Sequence, residues 1–276
     1  MSMNLTTAPI TVRVTKAAQR LADSARTGRP CAPIRDLIGR NDGAAAYAVQ
    51  QQVVALRIAG GAKVVGRKIG LTSAAVQAQL GVAQPDFGVL FDDMAYADGD
   101  TIPFDRVLQP RVEAEVAFML KADLGFGDLS MSQVRAAVEY AVAALEICGS
   151  RVQNWDISFG DTVADNASAG AFVLGNQPRT LDAFDPSTVS MTMTVTGQDL
   201  STGSGSACMG DPLLALQWLA RQARDLGAPL RAGQIILSGA LGPMRSVAPG
   251  AEANATISGL GDVSVRFSNE TSDKDA

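Results

Sequence analysis

Between Gln109 and Leu120 the chain alternates: Val112, Ala114, Val116, Phe118 and Leu120 are apolar, while Arg111, Glu113 and Glu115 between them are charged. A period of two predicts a strand with one apolar face. The two glutamates then stand about 7 Å apart on the other face, because a strand rises about 3.3 Å per residue. Upstream the period changes. Residues 11–28 place Val14, Ala17, Ala18, Leu21 and Ala22 at helical spacing before Arg29-Pro30, and residues 43–59 repeat that pattern up to Gly60-Gly61. From Ala62 to Ser73 the chain turns β-rich with glycines. Ser73 predicts a cap for a short helical turn through Leu80, and Gln84-Pro85-Asp86-Phe87-Gly88 reads as a turn.

Ser130 with Gln133 three residues on has a capping-box pattern, and Val134, Ala137, Val138 and Ala141 make an apolar helical stripe behind it. Periodicity leaves open whether this helix continues or yields to a strand near Ala141, and with it the direction in which Glu146 points. The stretch Asp161 to Gly170 is dense in small and polar residues. It reads equally as an ordinary loop or as a lining for a ligand's carboxylate, ahead of a strand over 171–175. Strict alternation over 189–196 and the turn Gly197-Gln198-Asp199 predict a hairpin. A helix starts at Asp211-Pro212 and ends at Gly227, residues 234–239 read as a buried strand, and a second hairpin closes around Gly259-Leu260-Gly261. The polar tail from Ser268 to Ala276 is expected to be disordered.

Composition narrows the chemistry. The chain of 276 residues is 47% hydrophobic and 18% charged with a net charge of −5, and its basic residues are scattered, which argues against general nucleic-acid binding. Cys31, Cys148 and Cys208 form no CxxC pair, so neither a disulfide framework nor a zinc site is indicated, and a reducing cytoplasm fits. No apolar run reaches the length of a membrane span. With no histidine in the chain, His triads, His–metal sites and His acid–base catalysis are excluded. Catalysis must run on carboxylates, lysine, hydroxyls and a metal.

Glu113 and Glu115 on one strand face suit a hard, oxygen-loving ion such as Mg²⁺. The competing reading is the solvated outer face of an antiparallel sheet. Glu146 weighs against it, because it sits within Ala143-Ala144-Leu145-Glu146-Ile147-Cys148, and a carboxylate in such a setting must be paired, protonated or metal-bound. Taken by themselves, Lys68 reads as a surface charge and Asp86 as a turn former.

Several ordered motifs add to this. Lys68-Ile69-Gly70-Leu71-Thr72-Ser73, Gln84 to Gly88, Pro110 to Glu115, Leu145-Glu146-Ile147, Asp161 to Ser168 and Leu237 to Pro243 resemble, in order, the 2-keto-4-pentenoate hydratases of the hydratase/decarboxylase branch of the fumarylacetoacetate hydrolase superfamily. The resemblance spans about residues 12 to 268. It implies an α+β fold: a mixed β-roll of the fumarylacetoacetase C-terminal type with outer helices. Residues 1–61 would be an N-terminal helical segment, 62–268 the catalytic domain and 269–276 a tail. It implies Mg²⁺ or Mn²⁺ held by Glu113, Glu115 and Glu146, Lys68 and Asp86 as catalytic groups, and Ser168, Leu71 and Arg151 at the substrate. Gly149 stands where many members have Asp, and Ala169 where Cys or Ser is frequent, which bears on substrate choice. The implied activity is hydration of 2-hydroxypenta-2,4-dienoate to 4-hydroxy-2-oxopentanoate in meta-cleavage catabolism of aromatic compounds. Its competitors are decarboxylation of 2-oxo-3-hexenedioate, which needs a cation such as Arg151 or Arg245 in the pocket, and a non-catalytic role as stabilising partner of a pathway enzyme. A cytoplasmic homo-oligomer is expected.

Overall fold

Among residues 9–269, which the computed structural model describes, strands β1 (Val64–Gly70), β2 (Asp86–Phe91), β3 (Ala95–Ala97), β4 (Thr101–Ile102), β5 (Arg111–Leu120), β6 (Val138–Cys148), β7 (Ala169–Leu174), β8 (Ser190–Val195), β9 (Ser201–Ser204), β10 (Ile235–Ala240), β11 (Arg245–Ser246), β12 (Glu252–Ile257) and β13 (Gly261–Phe267) build two mixed sheets. The larger runs β2-β1-β10-β5-β6-β7-β3 with β11 added to β5, and the smaller runs β4-β13-β12-β8-β9. Pairing is parallel for β1 with β10, β3 with β7 and β4 with β13. The tail from residue 270 onward lies outside the described residues.

The alternation in β5 does what its period requires, but both of its faces are covered. Val112, Ala114, Val116 and Phe118 pack with Ala143, Leu145 and Ile147 of β6 against inward residues of the smaller sheet, among them Met193, Val195, Ala253 and Val263. Each fully buried side chain of this size contributes about 1.5–3 kcal/mol relative to exposure. On the opposite face Ala117, Val142, Ala144, Phe172 and Leu237 cluster with Leu90 and Phe91. The inside of the roll is therefore apolar along most of its length, and only one end carries Glu113, Glu115 and Glu146. That overturns the reading of Glu113 and Glu115 as a solvated outer face, since their exposures are 4% and 0%.

Helices α1 (Ile10–Thr27), α2 (Arg35–Ile38) and α3 (Gly43–Ala59) pack with a later helix, α6 (Phe159–Ala164), around Val14, Leu21, Ile34, Val49 and Val163. Asp42 caps α3 by accepting from Ala45 N–H, and Gly28 ends α1 at φ 67°, the left-handed conformation glycine adopts without a Cβ clash. Two polar ties join these helices to the roll. The buried Asp161 carboxylate accepts from Ile34 N–H and Arg35 N–H on one oxygen and from Ser158 on the other, at 2.7–2.9 Å. Gln50 Nε2 of α3 donates to Phe87 O and Val163 O, both at 2.8 Å.

Ser73 caps α4 (Ala74–Leu80) through Val76 N–H, and both predicted hairpins form. Three expectations change. Asp86 opens a strand instead of a turn: β2 pairs antiparallel with β1, with Asp86 opposite Gly70, and the break falls before it at Pro85. The helix behind Ser130, α5 (Met131–Ala137), stops early because β6 pairs with β5 from Val138 onward; this long-range pairing overrides the local helical stripe. The Asp161 to Gly170 stretch is no loop but α6 followed by a 3-10 turn over Asn166–Ser168. Helix α7 (Pro212–Asp225) packs Leu213, Leu216 and Leu219 into the same core as Val116 and Phe118. No helix among the described residues is long and apolar enough to cross a membrane.

Candidate active site

Register brings the acids together. Glu113 of β5 stands directly opposite Glu146 of β6, and alternation puts Glu115 on the same face of β5. On the far side of β10, Lys68 of β1 is paired with Leu237 and with Gly88 of β2, and Asp86 lies opposite Gly70 one step along. All five ionisable side chains are at most 4% exposed.

Lys68 Nζ lies 3.0 Å from Glu146 Oε1 and donates to Ala167 O at 2.7 Å. Burial alone would lower its pKa, but the carboxylates around it, Glu146 first, outweigh burial and hold the ammonium pKa well above the usual lysine value. Burial, reinforced by Glu146, pushes Glu113 up to about 8, and burial with Glu146 and Glu113 pushes Glu115 well above the carboxylate range. Asp86 is also raised, by burial, against the opposing pull of Lys68 and a 2.9 Å hydrogen bond from Thr162 Oγ1 to Oδ2.

Two local features set this geometry. Strand β10 bulges between Leu237 and Ala240, and in the bulge Gly239 N–H donates to Glu115 Oε2 at 2.6 Å. Gly239 adopts φ 109° and a Cβ there would overlap Thr72 Oγ1, so only glycine fits. Gly70 is the second: a Cβ on it would overlap Asp86 Oδ1 and stand 3.2 Å from Lys68 Nζ, which places those two polar heads over the bare glycine.

The residues present fit a hard cation. Glu146 Oε2, Glu115 Oε1 and Asp86 Oδ1 are buried and accept no hydrogen bond, although an orphaned buried oxygen is costly. Donor atoms of Glu113, Glu146 and Cys148 lie within 4.8 Å of one another. Burial and Glu146 push the Cys148 thiol well above its usual pKa, so it stands as a neutral neighbour of the acids and not as a ligand for a hard ion.

The cavity over this cluster has a volume of about 20 Å³, little more than one water. Lys68, Asp86, Glu113, Leu71 and Ser168 all line it, with Thr162 and Cys148 on its polar side and Val76, Leu80, Trp155 and Met244 on its apolar side. Leu71 sits in the left-handed region at φ 58°, and Ser168 Oγ is 3.4 Å from Thr162 Oγ1. Arg151 is not brought to this cavity. Its guanidinium is paired with Asp165 and also donates to Ala169 O at 2.9 Å, so it braces the turn from behind. Arg245 is bonded away as well, to Asp199 O and Leu200 O. Asn166, part of the Asp161 to Ser168 motif but given no role from the sequence, bonds both Val89 N–H and Val89 O through its amide, at 2.8 and 2.9 Å, and docks the turn that supplies Ala167 O onto β2. Arg111 also went unassigned: its guanidinium lies 4.4 Å over the Trp155 ring.

The chain belongs to the fumarylacetoacetate (FAA) hydrolase family, matching its C-terminal domain over residues 63–268. Among individual relatives, it is 51% identical over 254 residues to the TodF product hydratase of Pseudomonas putida F1, covering 92% of this chain and 95% of that protein. It is 50% identical over 252 residues to 2-keto-4-pentenoate hydratase of Paraburkholderia xenovorans LB400, covering 91% and 94%. The 4-oxalocrotonate decarboxylase of Pseudomonas putida G7, solved with magnesium and adipate, aligns with a TM-score of 0.87 at 31% identity over 93% of this chain and 98% of that one.

Proposed function

We propose that this chain is a 2-keto-4-pentenoate hydratase, a hydro-lyase that converts 2-hydroxypenta-2,4-dienoate to 4-hydroxy-2-oxopentanoate in meta-cleavage catabolism of aromatic compounds. The observation that carries the reading is the buried set Glu113, Glu115, Glu146, Lys68 and Asp86 at one end of the roll, in a chain about half identical to hydratases of that name. Glu113, Glu115 and Glu146 would hold Mg²⁺ or Mn²⁺, which when bound supplies Lewis acidity toward the substrate's 2-oxygen and carboxylate.

The chain's own groups divide the remaining work. Lys68, 3.0 Å from Glu146 and with its pKa held above the usual lysine value, would serve as a positive donor for enolate charge. Asp86 keeps one oxygen on Thr162 and the other, Oδ1, free. With its pKa raised, it can take the proton of the water that adds at C4 and return a proton to carbon. Loss of the 2-hydroxyl proton with protonation at C5 first ketonises the dienol to the conjugated enone; addition of water at C4, its proton passing to Asp86, and protonation at C3 then complete hydration. Ser168 and the Leu71 backbone turn would border the substrate, whereas Arg151 acts behind the turn.

The apolar wall of Val76, Leu80, Trp155 and Met244 suits a short alkyl end. The decarboxylase reading draws on one observation, the Arg111 guanidinium stacked on Trp155, a cation that a second carboxylate would seek. A side-by-side assay separates the two: with Mg²⁺, loss of dienol absorbance without CO₂ from 2-oxo-3-hexenedioate is expected, and CO₂ release at a comparable rate refutes the hydratase assignment. The reading includes a homo-oligomer, supported by the exposed Ile10 and Val12 of α1 and Leu56 of α3. Light scattering that finds only monomer at micromolar concentration would count against it.

A further inference from the structure

A second cavity, of about 310 Å³, opens where α3 crosses β1 and the end of α7. Its walls are apolar: Val54, Phe87, Val89 and Ala223 line it, and Ile58, Val64 and Leu226 at its mouth are 37–50% exposed. One charged side chain lies among the lining residues, Arg67. That guanidinium makes no ion pair among the described residues; its Nη2 donates to Ala228 O at 3.2 Å, and its Nε is buried without an acceptor. A desolvated guanidinium N–H lacking a partner is a standing demand for an acceptor, and an anion is the strongest one available. Beside it Tyr47 and Phe87 stack with ring centroids 4.8 Å apart, and the Arg67 guanidinium lies 5.8 Å from the Phe87 ring. The volume falls at the lower end of the range for small-molecule sites, where one ring with a short side chain fits.

We propose that this cavity is a second ligand site, selective for a small aromatic monocarboxylate whose ring packs between Val54 and Phe87 and whose carboxylate accepts from Arg67. It is separate from the catalytic cavity and back to back with it. Arg67 and Phe87 point to one face of the β1–β2 ribbon, and their chain neighbours Lys68 and Asp86 point to the other. Gln50, which lines the cavity, also bonds Phe87 O and Val163 O, next in sequence to Asp86 and Thr162. A ligand seated here thus touches the residues that hold the Asp86–Thr162 contact from behind.

The test is calorimetric titration of the metal-free chain with phenylacetate, so that chelation at the glutamates contributes nothing. Binding at low-millimolar concentration or tighter is expected, as about ten heavy atoms can supply. The neutral analogue phenylacetamide should bind at least about tenfold more weakly, because a charge-assisted pair is replaced by a neutral one. Arg67→Met should erase that preference. Ala55→Trp, at an exposed position in the cavity wall, should block binding of both compounds with the fold intact by circular dichroism. Failure of phenylacetate to bind, equal affinity for acid and amide, or undiminished binding to the Ala55→Trp chain would each overturn the proposal. None of these readouts depends on turnover, so the outcome is independent of the hydratase reading.

Discussion

Replacing Glu113 by Gln should make the metal-free protein more stable at alkaline pH. In the fold the Glu113 carboxyl is pushed up to about 8 from an ordinary 4.5, by burial first and by Glu146 second. A carboxyl with a raised folded pKa keeps its proton after the unfolded chain has lost its own. Its contribution is therefore fully present below pH 4.5, declines as pH rises and is lost once pH passes about 8. A displacement of that size corresponds to about 5 kcal/mol. Relaxation and sharing with Glu115 and Glu146 reduce what one substitution recovers to about 2–5 kcal/mol, or a melting-temperature gain of about 5–15 °C in a chain of this size. The amide is nearly isosteric and cannot ionise, so the difference should vanish near pH 4.5 and be full at pH 9. Thermal denaturation of both proteins after chelation, scanned over that range, measures it. Adding Mg²⁺ should narrow the gap: at about 100 times its Kd a bound ion stabilises the wild type by about 2.7 kcal/mol, and a chain lacking one ligand gains less. A Gln variant no more stable than the wild type at pH 9 without metal would refute the claim that these carboxylates repel one another in a dry site.

Three further outcomes follow from the same geometry. Asp86→Asn, which keeps an acceptor for Thr162 but removes the titrating group, should lower kcat by about 10²–10⁴ and erase the limb of the pH–rate profile that reports this carboxyl; retained kcat with an unchanged profile would rule Asp86 out. Lys68→Met should cost about 10²–10³ in kcat with KM less affected, measured as loss of dienol absorbance, since it removes the positive donor and not the metal ligands. Gly70→Ala should cost about 10² or more in kcat by displacing Asp86 Oδ1 from Lys68 Nζ, and a fully active variant would show that their approach over the glycine is not needed.

How much of this was legible beforehand depended on whether the signal was local. Strand β5, the helices α1 and α3, and both hairpins are written in period and punctuation, and they fold as read. The end of α5 was not legible: Val138 and Ala141 continue a helical stripe, and only pairing with β5, far away in the fold's hydrogen-bond pattern, converts them to strand. Asp86 misled for a related reason, because Pro-Asp is turn chemistry in isolation and becomes the first residue of a strand once β1 is beside it. Glu146 could be singled out by its apolar neighbours, yet its meeting with Glu113 is a matter of register between two strands, which no spacing along one segment can reveal. Arg151 was assigned to the substrate by resemblance alone, and its pairing with the buried Asp165 carries it to the other side of the turn.

Charge balance joins the site's parts into one argument. With Glu113, Glu115 and Glu146 ionised, a divalent cation and the Lys68 ammonium together supply three positive charges against three negative ones. That leaves Asp86 as the buried acid without a counter-charge of its own. Its raised pKa has the same cause, burial that Lys68 only partly offsets because Glu146 already claims the ammonium at 3.0 Å. A carboxyl in that position is better suited to pass a proton than glutamates neutralised by an ion or a Lys68 ammonium paired with Glu146. In the proposed mechanism the proton transfers of hydration therefore fall to Asp86, with the other charged groups as a field around it. Without histidine anywhere in the chain, a carboxyl whose pKa burial raises is the group left for general acid–base work.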